Sequence, residues 1–140
     1  MTKLKVLVVS RKKCFCSLIG QTEIDNLNLI RLYASNNTNI VNVAFMKNLQ
    51  VLHISGTCAI GQESLDVLNL VELCISDNIS VVNLSHMTNL KTLFANGKSA
   101  LNNDKIKNLQ LYELSINNNV NITDVSSIKT KDYMQQEVQH

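Results

Sequence analysis

The chain has 140 residues, a length that fits one domain able to bury a continuous core. Its 13 basic and 11 acidic residues give a formal net charge of +2, and so small a net charge does not favour nucleic acid or a membrane surface as partner. No run approaches the roughly 18 apolar residues that a transmembrane helix needs, which predicts a protein without a membrane span.

Four cysteines, Cys14, Cys16, Cys58 and Cys74, are an even number that would fit two disulfides. The first methionine is not followed by a hydrophobic signal segment, however, which favours a reducing compartment. We therefore expect reduced cysteines and a cytoplasmic, intracellular location.

One short apolar pattern occurs six times along the chain. Its clearest copy is Leu-Val-Glu-Leu-Cys-Ile-Ser-Asp-Asn at 70–78, and every copy reads L-x-x-L-x-[V/I/A]. The starting residues are Leu4, Leu29, Leu49, Leu70, Leu90 and Leu111. The first interval is the longest, and every later copy starts about 20 residues after the one before it, a regular spacing that indicates six short structural repeats.

The pattern resembles the leucine-rich-repeat family, whose unit of about 20 to 29 residues is built on L-x-x-L-x-L-x-x-N. The resemblance implies an α/β fold, a right-handed solenoid with a concave parallel sheet of about six strands. Short helical or extended segments would return the chain on the convex side. It also implies a protein–protein interaction module that binds its partner through the concave face.

Within each copy, apolar and variable residues alternate with period two, which predicts a short strand with one face toward the core. Such units bury their apolar side only by stacking on neighbouring units, with parallel strands about 4.8 Å apart. The predicted core pairs are Leu7/Val9, Leu32/Ala34, Leu52/Ile54, Leu73/Ile75, Leu93/Ala95 and Leu114/Ile116.

The return segments between the strands are of two alternating kinds. The segment from Gly20 aligns without gaps on the one from Gly61, and more loosely on the one from Asn102. We call these the odd returns, because they follow the strands of the first, third and fifth units. They have helical spacing of apolar residues over 62–68 and 104–109. The even returns, which follow the strands of the second, fourth and sixth units, carry β-branched residues that favour extended or 3₁₀ structure. Two kinds of unit therefore alternate in a superrepeat that is two units long, about 41 residues.

Only the even units carry the asparagine of the family pattern, at Asn37, Asn78 and Asn119. In the family this amide bonds backbone groups of adjacent units, which satisfies a polar group that would be costly to bury alone. The odd units have Lys12, Thr57 and Lys98 at the corresponding position, and a lysine is rarely buried unpaired. The turns of the odd units are therefore predicted to bend differently.

The two ends of the chain depart from the repeat. We assign residues 1–129 to the solenoid and residues 130–140 to a polar tail or short cap. The first unit has four surplus residues near 11–14, interpreted as an inserted basic loop. The first strand, at 4–9, has no preceding unit, and an uncovered apolar edge of this kind indicates a tendency to form a homodimer.

The variable strand positions are predicted to form columns on the concave face. A partly aromatic column beside charged residues is typical of a protein-binding surface. The alternative is that these side chains only stabilise the sheet through cross-strand contacts. The short polar residues just after the strands form another column and are expected to bond neighbouring backbone. They are Ser10, Ser35, Ser55, Ser76, Asn96 and Asn117. The predicted partner-binding residues are Arg31, Tyr33, Val51, His53, Glu72, Cys74, Thr92, Phe94 and Glu113.

Two other functions are open at this stage. His53 and Cys74 occupy equivalent positions on adjacent strands, with Glu72 nearby, so they would also fit a cysteine-dependent enzyme or redox sensor. Two ligands are too few for zinc, and an open sheet lacks a pocket, so we expect no catalysis, metal or cofactor.

The amino-terminal end suggests the second function. The five positive charges among the first thirteen residues would suit an acidic ligand or nucleic acid, but no aromatic residues are interleaved with 11–13. The expected partner is therefore a protein or peptide.

Overall fold

One parallel sheet runs through the described part of the chain. The computed structural model describes residues 3–10, 19–126, 128 and 136–137. Its sheet has seven strands in the order of the sequence, and every neighbouring pair is parallel. The strands are β1 Val6–Val8, β2 Arg31–Tyr33, β3 Val51–His53, β4 Glu72–Cys74, β5 Thr92–Phe94, β6 Glu113–Ser115 and β7 Gln136–Glu137. The predicted α/β class with a parallel sheet is confirmed.

The leucine at the centre of each strand from β1 to β6 aligns with its neighbours on one face of the sheet. Leu7 pairs with Leu32, and the register continues through Leu52 and Leu73 to β6. From β2 to β6 these leucines are fully buried, and each contributes about 1.5–3 kcal/mol relative to an exposed side chain. Leu7 is only partly buried because β1 lies at the end of the sheet order.

The described residues include three helices of four residues each, all in the odd returns. They are α1 Gln21–Ile24, α2 Gln62–Leu65 and α3 Asn103–Ile106. They fall within the return segments predicted to be helical but end after one turn, since the chain must soon reach the next strand. The even returns are helix-free in the described residues, and their buried side chains are spaced by three, as at Ile40, Val43 and Met46.

Each strand from β2 to β6 is followed by a residue in the left-handed region of backbone conformation. The even units use Asn36, Asp77 and Asn118, with φ of 59°, 57° and 59°, and the odd units use Gly56 and Gly97, with φ of 70° and 63°. Asparagine, aspartate and glycine are the residues that adopt this region at least cost. The turn position is therefore shared by both kinds of unit.

The two kinds of turn differ at the residue that follows. The even units bury their asparagine there, whereas Thr57 and Lys98 are exposed and the next residues, Cys58 and Ser99, are buried instead. The chain thus leaves the odd turns along a different path, as Thr57 and Lys98 predicted. Lys12 lies outside the described residues.

The buried asparagines bond backbone groups on both sides. Asn78 Nδ2 donates to Ile54 O at 2.7 Å, and Asn78 Oδ1 accepts from Ser80 N at 2.8 Å. Asn119 makes the corresponding bonds to Ala95 O and Asn121 N.

The first of these asparagines, Asn37, makes more contacts. Its Nδ2 lies 3.2 Å from Val9 O and 3.3 Å from Ile19 O, and its Oδ1 accepts from Asn39 N and Ile40 N. Each asparagine joins its own turn to the preceding unit.

A second set of amides joins each odd return to the next even return. Gln62 Oε1 accepts from Val82 N and Asn83 N, and Gln62 Nε2 donates to Asn83 O. Gln21 makes the same three bonds to the return at 41–42, and Asn103 bonds the return at 123–124. These amides were not predicted from the sequence, because a glutamine at the start of a helix has no distinctive pattern.

Some predictions concern the ends of the chain. The inserted loop at 11–14, with Cys14 and Cys16, lies outside the described residues. So does the tail at 130–140 apart from β7, which pairs with β6 through Leu114 and Ser115. Among the described residues, no helix is long and apolar enough to cross a membrane.

Candidate functional site

The sheet face opposite the leucines carries the candidate site. We call the side chains at the first and third positions of β2 to β6 the outer face. Strand pairing places the first positions in one column and the third positions in another. The first column is Arg31, Val51, Glu72, Thr92 and Glu113, and the second is Tyr33, His53, Cys74, Phe94 and Ser115. All nine predicted partner-binding residues therefore lie on one surface.

Three ring side chains form a cluster in the second column. The rings of Tyr33 and His53 are 4.7 Å apart in an edge-to-face arrangement, and those of His53 and Phe94 are 6.5 Å apart and tilted. All three side chains are half-buried. We call Tyr33, His53 and Phe94 the aromatic cluster. The rings contact one another, and part of each ring remains accessible to solvent.

A hydrogen bond fixes the central ring of this cluster. His53 Nε2 lies 2.7 Å from Glu72 Oε1, and the two side chains are 25% and 34% exposed. Glu72 is not the direct strand partner of His53, which is Cys74, so the bond runs diagonally across β3 and β4. An ionised carboxylate only accepts, so Nε2 carries the proton in this bond.

The Cys74 thiol has different partners. Its sulfur lies 2.9 Å from Ser55 Oγ and 3.9 Å from Ser76 Oγ. His53 and Cys74 are strand partners, as predicted, but the recorded polar contacts of His53 and Cys74 lead to Glu72 and to serines. The contacts of the thiol are therefore with hydroxyl groups and not with a ring nitrogen of His53.

The column of short polar residues bonds neighbouring backbone at most of its steps. Ser55 N donates to Ser35 Oγ at 3.0 Å, and Asn117 N donates to Asn96 Oδ1 at 2.7 Å. The same contact joins Ser35 to Ser10 and Asn96 to Ser76. Between β3 and β4, the Ser55 hydroxyl contacts Cys74 instead.

The charges of the outer face lie in the first column. Arg31 is exposed, whereas Glu72 and Glu113 are half-buried. Val51, between Arg31 and Glu72, is only 7% exposed and contributes little accessible surface to the predicted binding set. Positive and negative charges therefore occupy opposite parts of the same face.

A separate cleft of about 450 Å³ lies at the amino ends of β2 to β4. The residues that line it include two lysines, four amide side chains and no acidic residue. The cleft was not predicted from the sequence, although an asparagine precedes the first leucine of four successive units, at Asn28, Asn48, Asn69 and Asn89. The lining residues are Lys5, Ile30, Lys47, Asn48, Leu49, Gln50, Asn69, Val71 and Asn89.

His86, the second of the three histidines in the chain, has a local role. Its Nε2 lies 2.7 Å from Leu65 O and 3.2 Å from Leu68 O, at the end of the return that contains α2. Carbonyl oxygens only accept, so Nε2 donates and helps to close the helix. In the part of the chain that the structure describes, no three histidine, cysteine, aspartate or glutamate side chains are grouped to hold a metal ion.

Comparisons with known proteins found no matching family model, curated protein or solved structure.

Proposed function

We propose that this protein is a leucine-rich-repeat solenoid that binds a protein or peptide partner through its outer face, without catalysis. The observation that carries this proposal is the aromatic cluster of Tyr33, His53 and Phe94, half-buried and beside the charges of Arg31 and Glu72. Aromatic side chains dominate binding energy at protein interfaces, where they combine large contact areas with defined geometry.

The cluster is already ordered for binding. Ring contacts on both sides and the 2.7 Å bond to Glu72 restrict His53 before any partner arrives. Ordering a free side chain at an interface costs about 0.5–1.5 kcal/mol, so a restrained cluster retains more of its contact energy. This supports a role in recognition.

The solenoid part of the proposal draws on the sequence repeat and on the bonds between units. From β2 to β6 the strands follow one another in register, one strand to each sequence repeat, and the buried asparagines bond the unit before their own. A right-handed coil with the outer face as its concave side accounts for both features. The proposed location is cytoplasmic, where thiols such as those of Cys58 and Cys74 stay reduced.

The contacts of the thiol favour binding over a cysteine-dependent reaction. A nucleophilic cysteine needs a base within hydrogen-bond reach, and the Cys74 sulfur contacts the hydroxyls of Ser55 and Ser76 rather than a ring nitrogen of His53. We therefore assign Cys74 to the contact surface rather than to chemistry.

A second candidate function is binding of an acidic ligand near the amino end of the sheet. The cleft lined by Lys5 and Lys47 favours it, because its recorded lining contains no carboxylate and its amides both donate and accept hydrogen bonds. Lys5→Ala with Lys47→Ala should then abolish a salt-sensitive association with a polyanion such as heparin. Unchanged heparin binding by this variant would remove this candidate.

Selection from a displayed peptide library tests the main proposal. Peptides selected on the intact protein should bind Tyr33→Ala, Phe94→Ala at least about tenfold more weakly, because two anchors are truncated. The control is Val41→Ala, Val82→Ala, which truncates apolar side chains at exposed positions of the even returns. Equal affinity for both double variants would contradict binding at the outer face.

A further inference from the structure

The charges of the outer face are spaced by two strands. Pairing places Arg31 beside Val51, Glu72 beside Thr92, and Glu113 next in the same column. Since adjacent strands lie about 4.8 Å apart, successive charged positions are about 9.6 Å apart and the whole series spans about 19 Å. The sign changes once, from the arginine to the two glutamates.

This spacing matches one regular peptide conformation better than the others. A polyproline II helix has three residues per turn and rises about 3.1 Å per residue, so side chains at i, i+3 and i+6 share one side at intervals of about 9.3 Å. A β-strand presents same-side residues at about 6.8 and 13.6 Å. An α-helix presents same-side residues seven positions and about 10.5 Å apart. A third charge on such a helix would therefore lie about 1.8 Å beyond Glu113.

The second column supplies a complementary surface beside the charges. The aromatic cluster lies two residues further along the strands, about 6.7 Å from the charged column. Grooves lined by aromatic side chains are a recurring binding surface for proline-rich peptides in this conformation. A helix with three sides can place one side on the charges and the next on the rings.

We propose that the partner segment is a proline-rich polyproline II peptide running across the strands. It carries an acidic side chain opposite Arg31 and basic side chains opposite Glu72 and Glu113, with three residues from each charge to the next. The His53 bond uses Glu72 Oε1, and a carboxylate can accept at its other oxygen as well. This inference rests on the proposed binding function of the outer face.

Fluorescence polarisation with synthetic peptides tests the spacing. The matching peptide has nine residues, with glutamate first, arginine fourth and seventh, and proline elsewhere. The comparison peptide has the same composition with arginine third and fifth, and each sequence is also made in reverse to allow either chain direction. In one direction at least, the matching peptide should bind about fivefold more tightly than its comparison peptide. Equal affinities in both directions would overturn the inference.

A charge exchange tests the assignment of one contact. Glu113→Lys should weaken the matching peptide about fivefold, and glutamate at the seventh peptide position should restore the affinity. The matched control is Glu63→Lys, which makes the same change at an exposed position of α2 and should leave binding unchanged. Absence of restoration, or an equal loss in the control, would contradict this assignment.

The two proposals fail in different ways. If library peptides require Tyr33 and Phe94 but the proline peptides do not bind, the binding function stands and the polyproline inference is wrong. If the proline peptides bind Tyr33→Ala, Phe94→Ala as well as the original protein, the rings do not contact them and the inference is again overturned.

Discussion

The side-chain oxygen of Asn36 occupies the space beside Gly56 where a β-carbon would have to lie. Asn36 Oδ1 is held there by the backbone N–H of Thr57, at 3.1 Å. Asp77 and Gly97 repeat the relationship in the next pair of units. Both members of each pair have positive φ, so the odd turn needs glycine for its backbone angle and for the side chain packed against it.

Gly56→Ala should therefore destabilise the protein by about 1–2 kcal/mol or more, since it combines an unfavourable backbone angle with a clash. In an Asn36→Gly background the same change should cost less, because the clash is removed and only the backbone strain is left. Urea unfolding of the four variants measures this coupling. Gly61→Ala is the control, because Gly61 has negative φ and an added β-carbon would make only an ordinary contact, 3.7 Å from the Ser80 β-carbon. It should cost less than about 1 kcal/mol. Additive effects of the two changes would contradict the pairing.

Asn78→Ala tests the buried amides. The change leaves Ile54 O and Ser80 N without their partner in a buried turn, so we expect a loss of about 2–4 kcal/mol in the free energy of unfolding. Asn48→Ala, at an exposed position, should change stability by less than about 0.5 kcal/mol. Similar losses for the two variants, measured by chemical denaturation, would show that the Asn78 bonds contribute little.

The described thiols should differ in reactivity. Burial raises the pKa of Cys58, so a smaller fraction of this thiol is ionised at any given pH, and the thiolate is the reactive form. Iodoacetamide should therefore modify Cys74 faster than Cys58 in the folded protein, and both should react alike in urea. Peptide mapping by mass spectrometry resolves the sites. An accelerated Cys74 that slows in His53→Ala would favour the cysteine-dependent enzyme instead.

The sequence predicted the parts of this fold that depend on periodicity. The spacing of leucines located the strands, and the alternation of two kinds of unit separated the returns that contain a helix from those that are helix-free in the described residues. Contacts that depend on side-chain direction were not accessible in this way. The alignment placed His53 beside Cys74, which is correct for the strand register, but the ring bonds diagonally to Glu72 and the thiol turns to Ser55. The rotamer of a side chain determines which of several nearby groups it bonds, and a repeat pattern contains no information about rotamers.

The exposed end of the sheet predicts self-association. β1 pairs with β2 on one side and with no other described strand, and Val6 and Val8 are 47% and 67% exposed. Unpaired strand edges recruit other strands, although Lys3 and Lys5 oppose the approach of a second copy. Sedimentation velocity should show a concentration-dependent dimer that is lost in Val6→Lys, Val8→Lys. The matched control is Val41→Lys, Val82→Lys, and a monomer at every concentration would contradict the prediction.

Binding at the outer face is tested most directly by nuclear magnetic resonance titration of the ¹⁵N-labelled protein with a library-selected peptide. We predict that the largest amide shifts fall on β2 to β5, around Tyr33, His53 and Phe94, and that they disappear in Tyr33→Ala, Phe94→Ala. Shifts concentrated on α1 to α3, or on the cleft around Lys5 and Lys47, would contradict binding at this face.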